Sequence, residues 1–173
     1  MKRYFKTIFL VTFIGIFLFL GFRIISQIIH KNEVAQNIKS IPVFSYQNIN
    51  GKNFTNQSLK KETAVIFIYF NTECDYCINE AQMIKKNITQ FKDLQLVFVS
   101  FENLELIKKF AQKHQLTTYD NVYFLSDNKV SFSTTFDSLS IPSMILYNKK
   151  HQLIEKIKGQ TKTSTLLKKM NLE

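Results

Sequence analysis

AVIFIYFNTECDYCINEAQ, residues 64–82, holds the chain's only two cysteines, Cys74 and Cys77, with two residues between them. The apolar run Val65–Phe70 before them is too short for an ordinary helix. Its β-branched and aromatic residues read as a buried strand. After the cysteines come helix formers, with apolar residues at 77, 78, 81, 84 and 88 on one helical face. The thiols therefore sit where a strand turns into a helix, with the helix N-terminus aimed at Cys74. Free backbone N–H groups and the positive end of the dipole favour a thiolate there. Strand, Cys-x-x-Cys and helix together are the arrangement of a thiol–disulfide exchange site.

Toward the C-terminus, Leu94–Phe101 is a second nearly all-apolar strand, and Asn103 is placed to cap a helix reaching about Gln115. Strand–helix–strand–helix with apolar strands predicts parallel pairing and right-handed crossovers. Val122–Ser126 is a short strand. The Ser/Thr-rich segment 127–140 holds a turn of helix around Phe132 and Phe136. Ser143–Tyr147 and the alternating Gln152–Ile157 form a hairpin about Asn148-Lys149-Lys150. Gly159 ends it, and Thr161–Met170 is a final helix with Leu166, Leu167 and Met170 inward. Toward the N-terminus, Ile41–Tyr46 reads as an edge strand whose Pro42 tolerates the missing donor. Asn50-Gly51 marks a hairpin turn, and Phe54–Lys61 a short strand and helical turn with Leu59 inward.

The first 30 residues differ in kind. Lys2, Arg3 and Lys6 precede an uncharged apolar run from Thr7 to Phe22, and Ile24, Ile25, Ile28 and Ile29 follow Arg23. The run is short for a span of about 20 residues, but Arg23 can snorkel to the headgroups. Gly21-Phe22-Arg23 and Ile24-Ile25-Ser26 are poor cleavage sites, so an uncleaved signal-anchor is expected over a removed signal peptide. No cysteine follows the run for lipid attachment. The basic end should stay cytoplasmic, placing the later residues where disulfide chemistry is possible. Residues 1–30 are expected to be a single-pass anchor in the cell (inner) membrane, 31–40 a polar spacer, and 41–173 one domain.

A hydrophobic content of 45% with 17 Phe is enough to bury a core, while two Pro and four Gly exclude collagen-like and linker-rich chains. Of the net charge of +10, four cations lie in residues 1–30 without an acid. The remaining lysines, in pairs such as Lys60/Lys61, Lys85/Lys86 and Lys108/Lys109, suit solvated helix faces, or an anionic partner. Nothing reads as nucleic-acid binding. A zinc site would need two more ligands, and no further cysteine exists. His30 lies beside the anchor, and His114 and His151 read as surface residues. No metal or cofactor is expected beyond the redox-active cysteine pair.

This order of elements resembles the thioredoxin fold, and specifically the membrane-anchored, extracytoplasmic thioredoxin-like reductases of the TlpA/ResA group. The similarity runs from about Ile41 to Met170. It is carried by Cys74-Asp75-Tyr76-Cys77, by Ile141-Pro142 directly before a strand, and by Glu80 three residues after Cys77. The resemblance implies a central mixed β-sheet flanked by helices after a transmembrane signal-anchor. It implies that Cys74 attacks as a thiolate and that Cys77 resolves the mixed disulfide. It implies a cis bond at Pro142, with Tyr76, Ile141 and Pro142 meeting a substrate peptide. Glu80, if buried, would take a proton from Cys77; its other reading is an ordinary exposed helix residue. The implied partners are protein dithiols and disulfides, in apocytochrome c maturation or envelope redox maintenance, with a membrane electron donor.

The chain departs from the group in two places. Glu73 stands where Trp is usual, and Asp75-Tyr76 replaces a proline-containing pair. These two carboxylates oppose a negative sulfur between them, which argues for a reducing pair. Two other functions share the fold. A peroxiredoxin-type peroxidase would carry Pro and Thr or Ser ahead of the cysteine, and the loop here offers Thr72 without Pro. A non-catalytic adaptor or metal-binding domain is the third reading.

Overall fold

In the computed structural model, residues 12–26 and 36–171 are described. The chain divides into two compact units, Met1–Asn37 and Ile38–Glu173. In the first, helix α1 covers residues 12–26, and its large apolar side chains, from Phe13 to Ile25, are exposed. Its 15 described residues rise only about 22 Å. Among the described residues no helix is long and apolar enough to cross a membrane. The expected anchor falls partly on residues 1–11 and 27–30, outside the described residues, as do residues 31–35 of the spacer.

The second unit is a seven-stranded sheet. Its strands are β1 (Ser45–Asn48), β2 (Asn53–Thr55), β3 (Ala64–Tyr69), β4 (Leu94–Ser100), β5 (Val122–Ser126), β6 (Ser143–Tyr147) and β7 (Leu153–Lys158). The spatial order is β2-β1-β5-β4-β3-β6-β7. Strands β3, β4 and β5 run parallel, and the other pairings are antiparallel. The helices are α2 (Asp75–Lys86), α3 (Leu104–Lys113), α4 (Phe132–Thr135) and α5 (Thr163–Lys169).

The crossovers β3-α2-β4 and β4-α3-β5 step in the same direction along the sheet. Right-handed connections then force both helices onto one face. There Ile66 and Ile68 of β3 pack with Ala81 and Ile84 of α2, Ile107 and Phe110 of α3, and Leu166 of α5. The alternate residues of β3, Val65, Phe67 and Tyr69, face the other way. Among the described residues that second face has α4 and loop segments over it, and bulky rings pack there. Phe67 meets Phe44, Phe132, Phe136 and Tyr147 with ring centroids 5.2–6.2 Å apart.

One strand expectation needs correcting. Strand β1 begins at Ser45, not Ile41, and lies between β2 and β5 rather than at an edge, while upstream Ser40 bridges Gln152 and Ile41 N–H donates to His151 C=O. The cause is Asn56, whose side chain donates to Pro42 C=O at 2.8 Å and accepts from Phe44 N–H at 2.9 Å. With those groups satisfied by a side chain, residues 42–44 need no ladder. The central strand, the hairpins and the capped third helix form as the sequence predicts. Asn103 accepts from Leu106 N–H at 3.0 Å, and Gly51 supplies the positive φ of the β1–β2 turn.

Candidate active site

Strand β3 is where the connections reverse direction, since β4 follows it on one side and β6 returns on the other. Such a point leaves an open crevice at the carboxyl end of the strand. Residues 71–77 occupy it. Cys74 is the N-cap of α2, half-buried, and its Sγ accepts from Cys77 N–H at 3.4 Å. A sulfur with partial negative charge is thereby held against the open N–H groups of a helix start. Cys77, one turn in, is 2% exposed. Burial, followed by its hydrogen bond with Cys74, pushes its thiol up to about 12.

Glu80 follows at i+3 on the same helix face and is buried at 1% exposure. Its Oε2 accepts from Thr161 N–H at 3.0 Å, and its Oε1 has no partner among the described residues. Burial raises its carboxyl from 4.5 to about 7 against the lowering effect of Thr161. Its charge is in turn one cause of the raised Cys77. A carboxyl that gains and loses its proton near neutrality thus sits beside a thiol that needs a base.

The Ile141-Pro142 bond is cis. The register that sets Tyr69 opposite Ser143 brings Pro142 level with Phe70, at the start of the cysteine loop. Pro142 C=O accepts from Gly159 N–H at 2.8 Å, and Ile141 packs against both apolar clusters. Tyr76, between the cysteines, is 65% exposed. The structure therefore brings Cys74, Cys77 and Glu80 together, with Ile141 and Pro142 alongside and Tyr76 directed to solvent.

Glu102 is a member of the site that sequence reasoning missed. Its carboxylate accepts from Thr72 N–H (2.8 Å), the Thr72 hydroxyl (2.8 Å) and the Ser100 hydroxyl (3.0 Å). It thus ties the loop before Cys74 to the end of β4. A carboxylate just past a nearly all-apolar strand that neighbours the cysteine strand was the available signal. The buried Ser138 and Ser143 hydroxyls, on either side of Pro142, also pair.

One expectation about the histidines is corrected. His114 is 7% exposed rather than on the surface. Its ring lies 4.4 Å from that of Phe110, because α3 ends by turning the C-cap residue inward. No group of three His, Cys, Asp or Glu among the described residues could hold a metal ion.

A mixed sheet with a Cys-x-x-Cys at the start of the helix after its central parallel strand, facing a cis-proline, defines a thioredoxin-like protein. Residues 38–156 match the AhpC/TSA family, and the chain belongs to it. Similar solved structures include a secreted Mycobacterium tuberculosis disulfide oxidoreductase homologous to E. coli DsbE. It is 15% identical with a TM-score of 0.62, over 75% of this chain and 96% of that one. StoA from Bacillus subtilis is 18% identical with a TM-score of 0.60, over 76% and 98%. ScoI from Arabidopsis thaliana, with copper bound, is 16% identical with a TM-score of 0.59, over 76% and 98%. No curated protein matches the sequence.

Proposed function

We propose that this protein is a membrane-anchored thiol–disulfide oxidoreductase of the TlpA/ResA type that reduces protein disulfides outside the cytoplasm. The observation that carries the reading is Cys74 as N-cap of α2, backed by buried Cys77 and by Glu80 with a free oxygen. Cys74, as thiolate, attacks one sulfur of a substrate disulfide and releases the other as a thiolate that takes up a proton. Glu80 then accepts the Cys77 proton, and the new thiolate attacks Cys74 Sγ. The second substrate thiol leaves, protonated at the expense of Glu80. In sum the protein dithiol becomes a disulfide, and the substrate gains two electrons and two protons.

Residues 1–30 serve as a single-pass anchor with the N-terminus cytoplasmic. The basic start, the uncharged run and the exposed apolar side chains of α1 support this. Electrons to restore the dithiol then come from a membrane partner, and apocytochrome c or other envelope proteins are the substrates.

The test is the reduction potential of the Cys74–Cys77 pair in the full-length protein. A value of about −270 mV, that of thioredoxin, is expected of a reductant. A value of about −120 mV, as in the oxidant DsbA, would overturn the reducing direction. The absence of any redox transition, or retained disulfide reduction by Cys74→Ser, would overturn the enzyme reading as a whole.

A further inference from the structure

Two adjoining clefts lead away from the cysteine loop. The first, of 170 Å³, is lined by Thr72, Leu106, Lys109, Phe110, Lys113 and His114. The second, of 300 Å³, shares Lys113 and His114 and continues to Gln82, Lys85, Lys86 and Gln115. Together they run from two residues before Cys74, down the face of α3, to the far end of α2. Among the described residues four lysines line this path and no carboxylate does. Lys109 and Lys113 lie on one face with exposed Leu106, spaced at i+3 and i+7, and among the described residues Lys86, Lys109 and Lys113 make no ion pair. His114 is buried at the junction of the clefts, with its Nε2 unpartnered among the described residues. Burial, then Lys113, lowers its pKa, so it leaves a neutral polar atom at the junction.

The head of the path has the opposite sign. Glu73 and Asp75 flank Cys74, Glu105 is exposed in the first turn of α3, and Glu102 spends its carboxylate on Thr72 and Ser100. Lys85, Lys86 and Lys113 sit in the last turns of their helices, where cations also offset the helix dipole. Lys109 lies mid-helix, where the dipole gives it no such role. An acidic collar around the reactive sulfur that passes into a basic groove sorts a bound polypeptide by the position of its charges.

We propose that this groove recognises the protein substrate, selecting disulfides whose cysteine has a cluster of acidic residues some four to six positions away. Leu106 to Lys113 spans about 10 Å of helix, which an extended peptide covers in about three residues. Thr72, two residues from Cys74 and so within about 7 Å along the chain, lines the mouth of the groove, and that gap adds about one to three more. The inference rests on the exchange chemistry above and names its substrate class. Electron flow is unchanged: the protein dithiol is oxidised and the acidic peptide's disulfide is reduced. Continuity with Thr72 favours a peptide threading out of the site over a lipid surface.

The test is single-turnover reduction by the pre-reduced full-length protein. Two peptides of one disulfide each carry four Glu or four Lys, placed four to six residues from the cysteine. Hydroxyethyl disulfide serves as the small uncharged substrate. The acidic peptide should be reduced about tenfold faster at low salt, with the ratio nearing one in about 0.5 M salt. In Lys109→Glu/Lys113→Glu the ratio should fall to one or below. Equal rates for the two peptides, or a ratio unmoved by charge reversal, overturns the groove and leaves the exchange chemistry standing. Binding of phosphatidylglycerol vesicles through these lysines, with no peptide preference, overturns it in favour of a lipid contact. Failure to reduce either peptide or hydroxyethyl disulfide overturns the exchange chemistry itself.

Discussion

Replacing Glu80 by Gln should flatten the pH dependence of stability. Below about pH 4.5 the side chain is protonated in the folded and unfolded chains alike. As the pH rises, the unfolded carboxyl ionises first, while burial keeps the folded one protonated until about 7. Over that window the unfolded chain holds fewer protons, so stability falls with pH. A carboxyl carried from 4.5 to about 7 corresponds to a loss of about 3 kcal/mol by pH 8, at about 1.4 kcal/mol per pH unit. The amide of Glu80→Gln keeps an acceptor for Thr161 N–H and cannot ionise. It leaves a polar atom unpaired where Oε1 already is, so the variant should match the parent near pH 4.5 and exceed its stability at pH 8. Guanidinium denaturation of the reduced full-length protein, followed by circular dichroism between pH 4.5 and 8, reads this directly. The same variant should slow disulfide reduction, since Cys77 loses its base. A parent whose stability stays level across the window, or a Glu80→Gln variant with the same slope, would refute a carboxyl buried beside Cys77.

Two further substitutions test the surroundings. Glu102→Ala frees the N–H and hydroxyl of Thr72 and should cost about 1–3 kcal/mol by leaving donors unpaired. It should also lower the exchange rate about tenfold by loosening the Cys74 loop, seen in denaturation midpoints and insulin reduction. Val130 has φ +53° and is 51% exposed. Asn tolerates that left-handed geometry where a β-branched side chain does not, so Val130→Asn should stabilise by about 0.5–1 kcal/mol. A lower denaturation midpoint would show that Val130 is held by packing instead.

The elements that could be read in advance carry their own cause within a few residues. An all-apolar six-residue run must be buried on both faces. A two-residue gap between cysteines followed by helix formers puts one sulfur at a cap. Asn103 states where α3 begins. Two of the misread ones depend on partners farther along the chain, and the third on where a helix ends. Residues 42–44 leave the sheet because Asn56 satisfies the backbone of Pro42 and Phe44. Glu102 belongs to the site because β4 lies beside β3, 30 residues from Thr72. His114 turns inward because Phe110 and the end of α3 receive it.

The sequence alone determined the parallel pairing of the core strands, the thiol pair at a helix start and the charge of the first 30 residues, since periodicity, capping and composition are local quantities. Tertiary structure decided what those groups can do. Only the packing of α2 against the sheet buries Glu80 and raises it to about 7. Only the β3–β6 register brings Pro142 level with the cysteine loop, and only the approach of α3 to α2 gathers four scattered lysines along one groove. Burial and long-range register set the dielectric and the distances on which proton transfer and recognition depend, and neither is written in any short stretch of the chain.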